Sequence, residues 1–195
     1  MRIFIYFFSF IVLQSCGNAE RPLPKPHQYP RIDFPERSYS LFTDGDCAMK
    51  FDIPEYAQVE KKTTYFNEKP LHPCWFDVSF PAYNGKLHCS YFEITSREVF
   101  DDLVDDAFDL VSKHRSKASF AKESVIAKDD VYGLLFDIDG PVASPLLFYV
   151  TDSTDHFFLA SLYFKNRVNP DSMQVIHEFV REDVLQIIET FEWID

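Results

Sequence analysis

The sequence predicts an α+β fold in which an antiparallel sheet is flanked by helices, and three observations carry that expectation. Apolar and polar residues alternate on both sides of an Asn-Gly pair; a capping signal then opens a long amphipathic segment; and three more alternating segments, joined by turn formers, precede a second helical stripe. Strands, helix, strand meander and helix in that order describe a layered antiparallel arrangement.

In Cys47 to Ile53, Met49, Phe51 and Ile53 alternate with Lys50 and Asp52, and in Cys74 to Phe80, Phe76, Val78 and Phe80 alternate with Asp77 and Ser79. Both read as half-buried strands. The second runs through Pro81 to Asn84-Gly85, a strong hairpin signal, into an antiparallel partner over Leu87 to Ile94. With Asn84-Gly85 as a two-residue turn, Phe80 faces Cys89 and Cys74 faces Thr95. Thr95-Ser96-Arg97-Glu98 fits a capping box, with the Thr95 hydroxyl and the Glu98 carboxylate satisfying free amides at a helix start. Behind it Val99, Phe100, Leu103, Val104, Ala107, Leu110, Val111 and His114 fall on one helical face; the aspartates lie early and Lys113, Arg115 and Lys117 late, as the helix dipole favours. A strand near Ser119 to Ala127 leads to a meander of Val131 to Ile138, Leu146 to Thr151 and His156 to Phe164. Asn169-Pro170-Asp171-Ser172 then opens a helix whose stripe is Val175, Ile176, Phe179, Val180, Val184, Ile187, Ile188 and Phe191. This order resembles that of the Mog1/PsbP-type fold.

The first residues read differently. Arg2 precedes an apolar run from Ile3 to Leu13, and Leu13-Gln14-Ser15-Cys16 has the order of a lipoprotein signal: an aliphatic residue, two spacers ending in a small one, and a cysteine. The run is too short to span a bilayer, which needs about 20 residues, so it is expected to be a cleaved export signal. Cys16 then becomes the lipidated first residue of the mature chain; the competing reading is an ordinary signal peptide cut nearby. Two or three acyl chains suffice for stable anchoring at roughly 0.8 kcal/mol per buried methylene. The expected organisation is a signal peptide over 1–15, a proline-rich tether over 16–40 and one α+β domain over 41–195. The tether carries Pro22, Pro24, Pro26, Pro30 and Pro35. Its second half, with Tyr29, Arg31 and Asp33, is apolar enough to lie along a surface and is the candidate partner surface.

Loss of residues 1–15 removes Arg2 alone among charged residues, turning the net charge of −12 into −13. Nucleic acid and anionic headgroups both need a basic face, so neither is an expected partner. Cys47, Cys74 and Cys89 remain beside Cys16. In an oxidising compartment a pair tends to bridge. Cys47 and Cys74 both begin strands in phase with the apolar positions, so a bridge between them is possible, although their spacing does not compel it.

Other constellations carry little chemistry. Asp152, Ser153, Asp155 and His156 hold the residue types of a hydrolase triad, but a triad draws its members from separate elements and these share one turn. His72, Cys74, His88 and Cys89 suggest zinc, but the expected register separates Cys74 from Cys89 by six residues, roughly 20 Å at about 3.3 Å per residue, and points His88 to the opposite face. The aspartates of the first helix lack the looped spacing of a calcium site. No catalytic residue, metal or cofactor is expected.

Several segments together resemble the GldD family of gliding-motility lipoproteins. They are Pro24-Lys25-Pro26 with Tyr29-Pro30-Arg31-Ile32-Asp33-Phe34-Pro35; Cys74-Trp75 and Gly85-Lys86-Leu87-His88; Lys113-His114; Phe148 to Ser153 with His156-Phe157; Leu162-Tyr163-Phe164; Asn169 to Ser172; and Glu189-Thr190-Phe191-Glu192-Trp193. Where the family pattern has an Arg-Gly pair after Lys-Pro, this chain has His27-Gln28. The resemblance implies a non-enzymatic assembly or stability factor of the gliding and type IX secretion machinery, lipid-anchored in the envelope with other machinery proteins as partners. The segment after Cys16, Gly17 to Arg21, lacks the acidic pair of a surface-export signal, which implies a domain facing the periplasm. The alternative is a periplasmic small-ligand-binding lipoprotein, which requires a pocket, for instance between the first helix and the meander.

Overall fold

Alternation of large apolar and small polar side chains builds the sheets, and the fold is described from a computed structural model over residues 32–61, 64, 70, 72–115, 118–165 and 170–194. The chain divides into Met1–Asp33 and Phe34–Asp195, and the architecture below is that of the second unit. The expected signal peptide, Cys16, Tyr29, Arg31 and Asn169 lie outside the described residues.

A small antiparallel sheet has the order β1-β2-β10, from β1 (Tyr39–Thr43), β2 (Met49–Pro54) and β10 (Glu192–Trp193). A seven-stranded sheet, antiparallel at every pairing, has the order β3-β4-β5-β9-β8-β7-β6. Its strands are β3 (Gln58–Lys61), β4 (Trp75–Phe80), β5 (Gly85–Glu93), β6 (Phe120–Lys128), β7 (Val131–Asp139), β8 (Leu146–Thr151) and β9 (His156–Phe164). Helix α1 (Arg97–Arg115) and helix α2 (Pro170–Thr190) complete the α+β fold.

One face of the large sheet carries the main core. Phe76, Phe80, Phe148 and Phe158 are buried there. They meet β2 and the end of α2 in an aromatic cluster: Phe51 lies 5.7 Å from Phe191 and 6.1 Å from Phe158, centroid to centroid. Full burial of one such side chain stabilises by roughly 1.5–3 kcal/mol, so this cluster dominates the fold energetics. On the other face, α1 lays Ala107 and Val111 on Phe136, Leu147, Tyr149 and Phe157.

Three local features depart from the expectations. The hairpin does not turn on Asn84-Gly85 alone. Pro81 has no N–H to continue the ladder, so Pro81–Tyr83 forms a short 3-10 turn closed by Asn84 at a φ of 51°, and Gly85 already belongs to β5. Phe80 therefore faces Gly85, and Cys89 faces Phe76 rather than Phe80. A side chain at Gly85 would press on the Phe164 ring at 3.0 Å. The first helix is capped one residue later than expected, because the Ser96 hydroxyl, not that of Thr95, accepts the Val99 N–H at 3.2 Å. In α2, Val175 is 53 % exposed and lies off the buried stripe.

Candidate functional site

The residues leading into β1 are clamped onto α2 by a buried carboxylate. Asp183 lies between Val180 and Val184 on the apolar face of α2 and is fully buried. A charge is tolerated there only when donors surround it. The Tyr39 hydroxyl donates to its Oδ1 at 2.8 Å, Arg37 Nε donates to the same oxygen at 3.3 Å, and the Tyr56 hydroxyl donates to Oδ2. Burial and the neighbouring Asp183 push the Tyr39 phenol up to about 12 and raise Tyr56 further, so both remain protonated donors at any physiological pH. Aromatic packing extends the clamp. Phe34 stacks on Phe179 at 4.2 Å, and the Arg37 guanidinium lies 4.6 Å from the same ring while donating to the Phe179 carbonyl at 3.1 Å. Strand β1 thus begins at Tyr39, and its anchoring residues fall within the stretch expected to be tether.

A disulfide ties the same region. Cys47 and Cys74 are bridged with Cα atoms 5.2 Å apart, joining the chain just before β2 to the chain just before β4. Cys89 is buried outside the bridge, its thiol donating to the Leu87 carbonyl at 3.6 Å.

The polar turn between β8 and β9 is held together from within. Asp152 Oδ1 accepts the backbone N–H of Thr154, Asp155 and His156, each at 2.9 Å. Burial pushes the Asp152 carboxyl up, but these amides outweigh it and hold the group below the usual carboxylate range. His156 is occupied elsewhere: Nδ1 pairs with the Tyr91 hydroxyl at 2.6 Å, and its ring stacks on Trp193 at 5.2 Å. The structure brings neither Asp152 nor His156 to the Ser153 hydroxyl. The arrangement has the geometry of an Asx-type hairpin closure.

A third cluster was not anticipated. On the sheet face shared with α1, β3, β4 and β5 line up polar residues across adjacent strands, with Asp77 facing both Glu60 and His88 and Ser79 facing Lys86. Asp77 is 3 % exposed; its Oδ1 pairs with His88 Nδ1 at 2.7 Å, and its Oδ2 accepts Lys86 Nζ at 3.5 Å. Glu60 closes the set, accepting from Ser79 at 2.7 Å and from Lys86 at 2.6 Å. An ionised carboxylate only accepts, so Asp77 places the hydrogen on Nδ1 and leaves Nε2 as the ring's second polar atom. The expected register would have set Asp77 against Phe92 and His88 against Pro81, which concealed the pair. Of the residues considered for zinc, His72 turns instead to the Cys74 amide, accepting it at 3.1 Å, while Cys74 lies in the disulfide. Among the described residues no group of three or more His, Cys, Asp or Glu is placed to hold a metal ion. Asp33 is exposed at the end of the first unit.

Comparison with known proteins locates the chain. The family model described as gliding motility lipoprotein GldD matches residues 19–193. No curated protein matches the chain in sequence. Among solved structures, the solution structure of cyanobacterial PsbP (CyanoP) from Synechocystis sp. PCC 6803 matches with a TM-score of 0.48 at 13 % identity, over 80 % of this chain and 93 % of that one. No described helix is long and apolar enough to cross a membrane.

Proposed function

The chain belongs to the GldD family of gliding motility lipoproteins, and from that premise we propose that it is a non-enzymatic assembly or stability factor of the gliding apparatus and of the type IX secretion machinery. In this reading Cys16 carries the acyl chains, the domain faces the periplasm, and other machinery proteins bind the segment around Tyr29, Arg31 and Asp33. The family match along residues 19–193 is the observation that carries it.

Complementation of a deletion strain tests the proposal, with protein levels followed by blot. Cys16→Ser abolishes incorporation of labelled fatty acid, releases the protein from membranes and stops gliding. Arg31→Glu keeps the label and the protein level but loses both gliding and co-purification of machinery subunits in mild detergent. Ser153→Ala glides normally, since its side chain lies on an exposed turn. A folded, abundant Ser153→Ala protein that cannot support gliding, beside an Arg31→Glu protein that does, would replace the scaffold with a catalytic or ligand-binding turn.

A further inference from the structure

Beyond an assembly role, the space between α1 and the open half of the large sheet has the construction of a small-molecule site. A cavity of about 600 Å³ lies there, bounded by α1 on one side and by β4, β5 and β9 on the other. Small-molecule sites typically measure about 300–1,000 Å³. Trp75, Phe92, Phe157 and Leu159 form the apolar sheet wall, and Leu103 and Leu110 face them from α1. Trp75 and Phe92 meet edge to face at 5.4 Å, so the wall presents aromatic rings held by each other.

The polar groups around this apolar space select its occupant. On the sheet side stand Ser90, Ser161 and His88; Asp77 orients the His88 ring and leaves Nε2 free of that bond. On the helix side stand Asp106 and Asp109, and neither forms an ion pair with a described residue. Among the described residues lining the cavity Lys113 is the one cationic side chain, and burial holds the His114 imidazole below its ordinary value, favouring its neutral form. The mouth therefore carries two carboxylates against one ammonium, on a chain whose overall charge is −12. An anionic amphiphile meets repulsion there. A cationic one meets two carboxylates and aromatic faces, both of which attract ammonium groups. We propose that this cavity binds a small amphiphilic ammonium compound, its apolar body against Trp75, Phe92 and Phe157 and its nitrogen at Asp106 and Asp109.

Two probes that share one fluorophore and differ in charge test the assignment. Dansylcadaverine ends in a primary ammonium and dansyl-6-aminohexanoate in a carboxylate. Each is titrated against the full chain in phosphatidylcholine nanodiscs, with empty discs subtracted. The expected result is a saturable, blue-shifted signal for the amine and at least ten-fold weaker binding of the acid. Asp106→Asn with Asp109→Asn lowers the amine affinity at least five-fold and leaves the acid unchanged or tighter. Leu110→Trp, with the circular dichroism of the parent, removes binding of both by filling the space. Equal or tighter binding of the acid overturns the proposal, as does no saturable binding of either probe, or a folded Leu110→Trp protein that binds as before. Should Leu110→Trp fail to fold, the asparagine pair, at exposed helix positions, still decides the matter.

Discussion

The two faces of the seven-stranded sheet use similar residues for different ends. Toward α2 and the small sheet, every strand from β4 to β9 except β6 contributes buried apolar side chains, and the one carboxylate on the buried stripe, Asp183, is saturated by three donors. Toward α1, only the half formed by β7, β8 and the start of β9 is closed; the half formed by β3, β4 and β5 presents Glu60, Asp77, Lys86 and His88 beside a cavity. Burial is thus deepest toward α2, where clefts and the Arg181–Asp137 pair lie along β6 and β7, while the α1 face keeps its room and polar residues over β4 and β5. Each face holds one buried carboxylate with donors around it, Asp183 under Tyr39, Tyr56 and Arg37 and Asp77 under His88 and Lys86.

The contrast breaks first, if it is wrong, under large-to-small substitution. Phe51 is fully buried, with Phe42 at 5.0 Å and Phe191 at 5.7 Å, so Phe51→Ala is expected to cost about 3–5 kcal/mol in urea denaturation. Leu103 lines a space that is already open, so Leu103→Ala creates little new void and is expected to cost less than about 1.5 kcal/mol. Equal losses at the two sites would mean that the α1 face is as tightly packed as the other.

The disulfide sharpens the comparison next. It ties the start of β2 to the start of β4, and its 27-residue separation corresponds to about 3.5 kcal/mol of denatured-state entropy. Cys47→Ala with Cys74→Ala should lower the unfolding free energy by about that amount. Dansylcadaverine affinity measured under native conditions should stay within two-fold, because neither cysteine lines the cavity under α1. A ten-fold loss of affinity with stability unchanged would show that the bridge serves the open face instead.

What could be read in the sequence followed the strength of each periodic signal. Strands β2 and β4 through β9, and both helices, start within about two residues of their expected positions, because large residues such as Phe76, Val78 and Phe80 recur at the strand period over a sufficient length. Strand β10 has two residues, β3 has four with only Val59 even half-buried, and β1 buries Phe42 alone, so none carries a pattern long enough to see. At the hairpin two local signals competed: Asn84-Gly85 favours a two-residue turn, Pro81 forbids the ladder from reaching it, and the proline prevails. The resulting change of register is what brings Asp77 to His88. Asp183 was visible only as a break in the stripe between Val180 and Val184, and its donors lie more than 120 residues away in sequence.

Acid titration carries the smallest expected effect and reads each face through one histidine. His177, on α2, packs 4.5 Å from the Phe164 ring, and His114, on α1, borders the cavity. Burial lowers both imidazoles below 6.5, so in the fold each resists protonation while the unfolded chain still accepts the proton. A group whose folded pKa is depressed contributes its full stability above the unfolded value and loses it as the pH falls through the folded one. Stability should therefore be level above about pH 7 and decline below about pH 6.5. The lowered carboxylates, Asp44, Glu60, Asp152 and Glu192, start from ordinary values of 3.8 or 4.5 and lose their contributions only in more acidic solution. Between pH 7.5 and 5.5 the two lowered imidazoles therefore contribute to the slope. Both imidazoles border clefts, but His177 is the more deeply buried of the two and packs on the Phe164 ring, so protonating it costs more desolvation. His177→Gln is accordingly expected to remove more of the acid slope than His114→Gln, measured as urea midpoints at pH 7.5, 6.5 and 5.5. Equal flattening by the two variants would place both imidazoles in equally closed surroundings, and the distinction between a packed face and an open one would fail at the level of solvation.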